Sequence, residues 1–223
     1  MTYTGNVSPG GASDVRRLPE VVVRKASVSS MDNGVYLLTD PVSGEQLLVD
    51  AADDVPRLLA LVGEGGQDGG HGLTRLVTTH RHPDHVRALR GVVEATGART
   101  AAGRDDAPAL PVPPDDLLDH GDTVLLGALE LEVLHLRGHT PGSVALVLRS
   151  RDGSTHLFTG DSLFPGGPGR TWSAEDFTSL MDDLEERVFA ALPDDTWVYP
   201  GHGRDTRLGD ERPHLDEWRA RGW

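Results

Sequence analysis

Four potential metal ligands lie within six positions of one short segment, Thr79-His80-Arg81-His82-Pro83-Asp84-His85. In extended backbone His80 and His82 project to the same side, so both can reach one ion. The proline that follows turns the chain, which lets Asp84 and His85 face a neighbouring ion. The segment lies between an apolar run that predicts a buried strand and a periodic run that predicts a helix. We therefore expect a metal-binding loop between a strand and a helix.

Three more potential ligands occur singly, each at the end of a predicted strand. His139 lies in a turn between two such strands, Asp161 follows the run 156–159, and His202 follows the run 196–199. Ligands on loops at strand ends are held by rigid elements while substrate can approach them. The chain contains no cysteine. Imidazole and carboxylate ligands without sulfur suit zinc, and also iron or manganese.

Hydrophobic periodicity predicts alternating strands and helices along the rest of the chain. Strands are expected near 21–23, 35–38, 47–49, 73–78, 129–134 and 143–148, and helices near 55–62, 86–96, 174–192 and 214–221. Asp53 or Asp54 and Ser173 are placed to cap two helices, and Gly97 to end a third. We expect a flexible, polar lead-in over residues 1–18 and one α/β or α+β domain over residues 19–223.

The charge and composition of the chain argue against nucleic acid and membranes as binding partners. The formal net charge of −14 at pH 7 argues against nucleic acid, because phosphate binding needs a basic surface. No run approaches the roughly 18 apolar residues of a membrane helix, and the N-terminus lacks the layout of a secretion signal. The absence of cysteine excludes a disulfide scaffold. We expect a cytoplasmic protein that acts on a small-molecule substrate, with neither nucleic acid nor a membrane as partner.

Four motifs occur in a fixed order: H-x-H-x-D-H at 80–85, G-H-T-P-G-S at 138–143, G-D-S-L-F at 160–164 and P-G-H-G at 200–203. Together they resemble the metallo-β-lactamase superfamily, and the resemblance runs from about Val21 to Arg212. It includes residues 119–127, which are similar to the family's D-G-D-x-h-x-h-G hairpin, where h is hydrophobic. The resemblance implies an α/β fold, a four-layer αββα sandwich of two mixed β-sheets flanked by helices, with the site at one sheet edge.

The resemblance also implies a ligand set. A first metal would be held by His80, His82 and His139, a second by Asp84, His85 and His202, and Asp161 would bridge the two. Two Zn²⁺ per chain are the expected cofactors, with iron as the alternative. Asp50 closes the predicted strand 47–49 and resembles the family's buried aspartate, which orients a ligand or the loop around His80. A plain strand-end cap is the alternative role for Asp50.

Within the superfamily, the stretch 160–171 resembles the G-D-x-L-F-x-G-G-x-G-R pattern of glyoxalase II-like thioesterases, and 200–212 looks like the short bacterial members of that branch. This implies hydrolysis of a thioester or ester by a hydroxide between the metals, with Asp84 as the catalytic residue that orients it. Only about twenty residues follow His202. We therefore expect the chain to lack the helical C-terminal domain that holds glutathione in glyoxalase II.

Three further residues are candidates for substrate contacts. The planar fork of Arg170 suits a substrate carboxylate, and pairing with a nearby acid is its structural alternative. Trp172 and Tyr199 could line the substrate pocket, with ordinary packing as the alternative for both. The remaining histidines match no ligand segment, and we expect no direct role for them: His71, His120, His135, His156 and His214.

Two other functions are alternatives to hydrolysis. Persulfide dioxygenases share the fold and hold one iron, with ligands equivalent to His80, His139 and Asp161, and they carry the G-x-G-R-T sequence found at 167–171. Against that function, the P-G-H-G motif at 200–203 looks more like the hydrolases, since the dioxygenases usually carry alanine before that histidine. A catalytically silent binding module is disfavoured because all seven ligands are present. The sequence leaves a homodimer open.

Overall fold

The computed structural model describes residues 2–222, so Met1 and Trp223 lie outside the described part of the chain. The strands are β1 (Asp14–Arg17), β2 (Val22–Val28), β3 (Asn33–Thr39), β4 (Glu45–Val49), β5 (Gly72–Thr78), β6 (Arg99–Gly103), β7 (Asp116–Leu118), β8 (Thr123–Leu126), β9 (Leu129–His135), β10 (Val144–Arg149), β11 (Thr155–Gly160), β12 (Leu163–Phe164), β13 (Gly167–Pro168), β14 (Trp197–Pro200) and β15 (Thr206–Arg207). The helices are α1 (Val55–Gly65), α2 (Pro83–Val86), α3 (Leu89–Thr96), α4 (Ala174–Asp183), α5 (Leu208–Glu211) and α6 (Leu215–Arg221). Short 3₁₀ turns occupy Gly66–Asp68, Ala107–Ala109 and Arg212–His214.

The strands form two mixed sheets and one short hairpin. In the first sheet the order is β1-β2-β3-β4-β5-β6-β7, with antiparallel pairs from β1 to β4 and parallel pairs from β4 to β7. In the second sheet the order is β15-β14-β11-β10-β9-β8, antiparallel except for the parallel pair of β11 and β14. The hairpin consists of β12 and β13.

Three apolar clusters hold the sheets and helices together as four layers. One cluster lies between the two sheets and includes Leu38, Val77, Leu146 and Phe158. A second packs α1 and α3 on the outer face of the first sheet, and a third packs α4 and α6 on the outer face of the second. Strands β2 and β3 are buried along their whole length because both of their faces are covered. The predicted αββα sandwich of two mixed sheets is confirmed.

Local sequence sets where the main helices begin and end. The Asp54 side chain accepts a hydrogen bond from Arg57 N (3.1 Å) at the start of α1, and Ser173 does the same for α4. Gly97 ends α3 with a φ of 68°. The helix predicted over 174–192 is α-helical only to Asp183 and continues as a π-type turn, Leu184–Phe189.

The N-terminal segment differs from the flexible lead-in expected over residues 1–18. Strand β1 pairs with β2 along its whole length. Tyr3 packs its ring 5.8 Å from that of Trp197 and donates a hydrogen bond to Asp205, a residue 202 positions away in the sequence. The packing of Tyr3 could not be predicted from local sequence, because Trp197 and Asp205 are distant from it along the chain.

The loops that carry the predicted ligands leave the sandwich at one edge. Backbone hydrogen bonds join them there, from Val144 N to Thr79 O (2.9 Å) between the two sheets and from Gly201 N to Gly160 O (2.8 Å) within the second. Strands β5, β11 and β14 end at this edge, so the residues that follow them meet. Within residues 2–222, the helices are too short and too polar to span a bilayer.

Candidate metal centre

Pro83 shapes the loop that carries four of the predicted ligands. A residue before proline favours extended backbone, and His82 accordingly has φ −63° and ψ 142°. Pro83 then begins α2, whose first turn carries Asp84 and His85. His80 and His85 are buried, whereas His82 and Asp84 are partly exposed. The loop thus has an inner pair of predicted ligands, which is buried, and an outer pair, which is partly exposed.

Two glycines let the Asp161 loop pack against the loops of His80 and His202. Gly160 has a φ of 49°, and a Cβ there would lie 2.6 Å from Thr79 Oγ1. A Cβ on Gly201 would collide with Asp161 Oδ1. Any larger residue at either position would push Asp161 away from the histidines.

All seven predicted ligands converge on one cluster, which consists of three overlapping groups. In each group the potential ligand atoms lie within 4.8 Å of one another: His80, His82 and His139; His80, His85 and Asp161; Asp84, His85 and His202. Asp161 lies between the outer groups, since its Oδ2 is 3.5 Å from His139 Nε2 and 3.4 Å from His202 Nε2. The cluster could hold two neighbouring cations with Asp161 between them.

The ring nitrogens in this cluster are arranged as metal donors. His139 Nδ1 donates to Arg170 O (2.7 Å) and His202 Nδ1 to Met31 O (2.9 Å), which leaves the Nε2 lone pair of each facing the cluster. His80 Nε2 is buried without a hydrogen-bond partner within the described residues. Such an orphaned atom costs free energy unless something binds it. Imidazole and carboxylate donors of this kind fit a divalent zinc or iron ion.

Asp50 contacts two of the loop's residues at once. Its Oδ2 lies 2.8 Å from His85 Nδ1, and its Oδ1 accepts a hydrogen bond from Thr79 N at 2.7 Å. Its Oδ2 also accepts from Thr79 Oγ1, which is 3.0 Å from His80 Nδ1. The backbone of Asp50 has a φ of 61°, a conformation that costs energy for a non-glycine residue. These contacts orient His85 directly and His80 through Thr79.

Electrostatics divide the histidines into two sets. Burial lowers the pKa of His80, His82 and His139. Burial opposes the charged form of His85 and His202 as well, but nearby carboxylates outweigh it and raise the pKa of both, Asp50 acting first on His85 and Asp161 on His202. Burial would raise the pKa of Asp161, but hydrogen bonding with His202 and His85 holds it well below its usual range. The cluster therefore favours an ionised Asp161 between two sets of imidazoles: the pKa shifts favour the neutral form at the lowered set and the protonated form at His85 and His202.

Two buried residues that sequence reasoning missed contact the predicted ligands or the loops that carry them. Asn33 Nδ2 donates to Asp84 Oδ2 (3.1 Å) and lies 3.4 Å from His202 Nε2. Asp106 joins two ligand loops, because it accepts from Arg81 N (2.9 Å) and from Gly142 N (3.0 Å). Neither residue belongs to a motif. Asp106 is one of 35 acidic residues, and nothing in its local sequence sets it apart.

The three predicted substrate contacts have different outcomes. Trp172 is 60% exposed, with its ring 6.2 Å from that of His82, and Arg170 Cζ lies 4.4 Å from the Trp172 ring centroid. Both residues therefore lie beside the cluster. Tyr199 does not, and its prediction as a pocket residue is corrected. It is fully buried between the sheets, where its ring stacks on Phe158 with centroids 4.6 Å apart.

Comparison with known families and proteins agrees with the metal-binding geometry of this cluster. The sequence profile of the Metallo-beta-lactamase superfamily matches residues 34–202. Hydroxyacylglutathione hydrolase from Fuscovulum blasticum is 40% identical over 174 residues, which cover 77% of this chain and 62% of that protein. The chain thus spans less than two thirds of the length of the curated relatives it matches first.

Solved structures with the same fold add two further similarities. ETHE1 from Myxococcus xanthus superposes with a TM-score of 0.73 at 29% identity, over 86% of this chain and 82% of that one. TTHA1623, solved in a di-iron-bound form, superposes with a TM-score of 0.67 at 29% identity, over 83% and 95% of the two chains.

Proposed function

The chain belongs to the metallo-beta-lactamase superfamily, and we propose that it is a two-metal hydrolase of thioesters or esters. The observation that carries the proposal is the position of Asp161. Its carboxylate lies within 3.5 Å of histidines from both outer groups, as a ligand shared by two cations would. A single metal ion at the first position would leave Asp84, His85 and His202 without a metal to bind.

We assign the ligands as the resemblance implies. The first metal position takes His80, His82 and His139, the second takes Asp84, His85 and His202, and Asp161 is shared. Two divalent cations bound there would supply an activated water nucleophile and polarise the substrate carbonyl. Asp50 keeps the outer nitrogens of His85 and His80 engaged, so their inner nitrogens stay directed at the cluster.

Asp84 is the proposed catalytic residue of the chain itself. It is partly exposed, and burial, which would raise its pKa, is outweighed by the hydrogen bond from Asn33 and by His85, so its pKa is lowered. An ionised carboxylate at the mouth of the cluster can accept a hydrogen bond from the attacking water and orient it. Asn33 donates to Oδ2 and thereby fixes the rotamer in which Asp84 does so.

We propose a hydroxyacyl thioester as the substrate class, on the similarity to hydroxyacylglutathione hydrolases. The Arg170 guanidinium and the exposed Trp172 ring lie together beside His82. A carboxylate on the thiol carrier would suit the arginine, and an apolar acyl or carrier chain would suit the indole. We further propose zinc as the metal and the cytoplasm as the location of the enzyme.

Metal counting and an activity assay test this function together. We expect elemental analysis of the purified protein to give about two zinc ions per chain. Hydrolysis of a hydroxyacyl thioester should release free thiol, and removal of the metal with a chelator should abolish it. One iron per chain, together with oxygen uptake on a thiol persulfide, would overturn the proposal in favour of a persulfide dioxygenase.

A further inference from the structure

Lys25 is the only lysine among the chain's 21 basic residues, and it is fully buried. Its Nζ donates to Asp205 Oδ1 at 2.5 Å and to Gly203 O at 2.7 Å. Burying an ammonium group is costly unless it is paired and hydrogen-bonded. The ion pair with Asp205 meets that condition, and it lies beside the His202 loop.

Asp205 receives donors from three separate parts of the chain. Besides Lys25 on β2, its Oδ2 accepts hydrogen bonds from Tyr3 Oη (2.7 Å) in the N-terminal segment and from Trp197 Nε1 (2.8 Å) on β14. Its side chain is 2% exposed. A carboxylate with this many donors has one position, and the short loop that carries it is fixed with it.

The same strand and its turn hold His202 from the other side. His202 Nδ1 donates to Met31 O (2.9 Å), and Gly203 N donates to Asp32 O (3.1 Å). Met31 and Asp32 lie in the turn between β2 and β3, and Lys25 lies on β2. His202 and Gly203 are therefore held between this turn and the Lys25–Asp205 pair.

We propose that Lys25 and Asp205 are positioning residues that hold His202 in place and thereby set the affinity of the second metal position. This inference rests on the proposed two-metal site. Lys25, Asp205 and Tyr3 all lie outside residues 34–202, the part matched by the superfamily profile. Their support of His202 is therefore separate from the ligand motifs.

A matched pair of variants on β2 tests this. Lys25→Met removes the ammonium beside Asp205. Arg24→Met is the control, because Arg24 directly precedes Lys25 on β2. It forms a similarly buried ion pair with Asp68 (2.5 Å) away from the cluster. Zinc is titrated calorimetrically into each chelator-stripped protein. We expect Lys25→Met to keep the first zinc affinity and to weaken the second by roughly 10- to 100-fold, the usual loss when support of a ligand is removed. Arg24→Met should retain both.

Two further variants distinguish loss of positioning from misfolding of Lys25→Met. Lys25→Met/Asp205→Leu removes both charges together, which favours retention of the fold, and it should show the same loss at the second zinc. Tyr3→Phe removes one donor to Asp205 without changing charge and should weaken the second zinc in the same direction. If all of these variants bind both zinc ions like the wild type, the positioning role is wrong while the two-metal site stands. A wild type that binds fewer than two zinc ions overturns the proposed function, and this inference with it.

Discussion

Strands β11 and β14 have the predicted metal ligands at one end, called the near end here. At their other end, the far end, they have a different polar network. At the far end, buried His156 on β11 has a partner for each ring nitrogen, with Tyr199 Oη 3.0 Å from Nδ1 and Ser154 Oγ 2.9 Å from Nε2. At the near end, His80 has Thr79 on one nitrogen and no partner within the described residues on the other.

Burial alone therefore does not distinguish the predicted metal ligand His80 from His156. His156 and His80 are each 1% exposed, and burial lowers the pKa of both. What separates them is whether the second ring nitrogen has a protein partner. Substitutions at the near end should therefore reduce metal binding, whereas substitutions at the far end should reduce the stability of the fold.

The largest effect is expected at the near end, from Asp161→Asn. The substitution keeps the shape of the side chain and removes the charge shared by the two proposed metal positions. We expect the metal content to fall below two per chain and thioester hydrolysis to fall by more than about a hundredfold, beyond the loss typical of a supporting residue. Elemental analysis and a free-thiol assay measure both. Asp195→Asn, an exposed change near the far end, is the matched control and should alter neither.

Asp50→Asn should have the next largest effect. The amide oxygen can still accept from Thr79 N, but the charge beside His85 is lost. We expect metal affinity to fall by roughly 10- to 100-fold with the fold retained. A chelator competition titration gives the affinity, and circular dichroism reports on the fold. Wild-type affinity in Asp50→Asn would show that Asp50 only caps its strand.

At the far end, His156 should make stability depend on pH. Burial, followed by the charge of Arg16, lowers the pKa of His156 to about 4, below the roughly 6.5 of an unfolded histidine. The neutral form is thus favoured on folding, so this contribution is complete above pH 6.5 and is lost as the pH falls from there towards 4. Between pH 7 and pH 5 the loss amounts to about 2 kcal/mol.

Urea unfolding of chelator-stripped protein at pH 7 and pH 5 measures this loss. His156→Gln should lose less stability than the wild type over that interval, even if it is less stable at pH 7. The matched control is His71→Gln at an exposed position, which should follow the wild type at both values. Equal pH dependence in all three proteins would show that His156 is not held neutral by the fold.

The near end could be predicted well from sequence, and the far end could not. The predicted ligands of the near end belong to short motifs, because Pro83, Gly160 and Gly201 are local requirements of the loops that carry them. The αββα sandwich could also be predicted from these motifs, through the family resemblance that they carry. Asn33, Asp106 and the Lys25–Asp205 pair act across long sequence separations, so no local pattern marks them.

Tyr199 shows how adjacency in sequence can mislead. It lies three residues before His202, which made it a candidate for the substrate pocket. In a strand, however, the side chain of Tyr199 joins that of Trp197 on the face turned towards the first sheet, while Val198 faces the helices. The alternation of β14 therefore decides its role, and the face that is buried could be known only from the packing of the two sheets.

Tyr199→Phe tests whether Tyr199 lies outside the substrate pocket, and it should have the smallest effect. The variant keeps the stacked ring and removes the hydroxyl that is bonded to His156 Nδ1. We expect a loss of about 1 kcal/mol in the free energy of unfolding, typical of one buried hydrogen bond. The metal content, kcat and KM should stay at wild-type values, because the hydroxyl faces the sheet interface rather than the cluster. A rise in KM without a change in metal content would mean that substrate reaches the far end of β14, and the division between the two ends would fail.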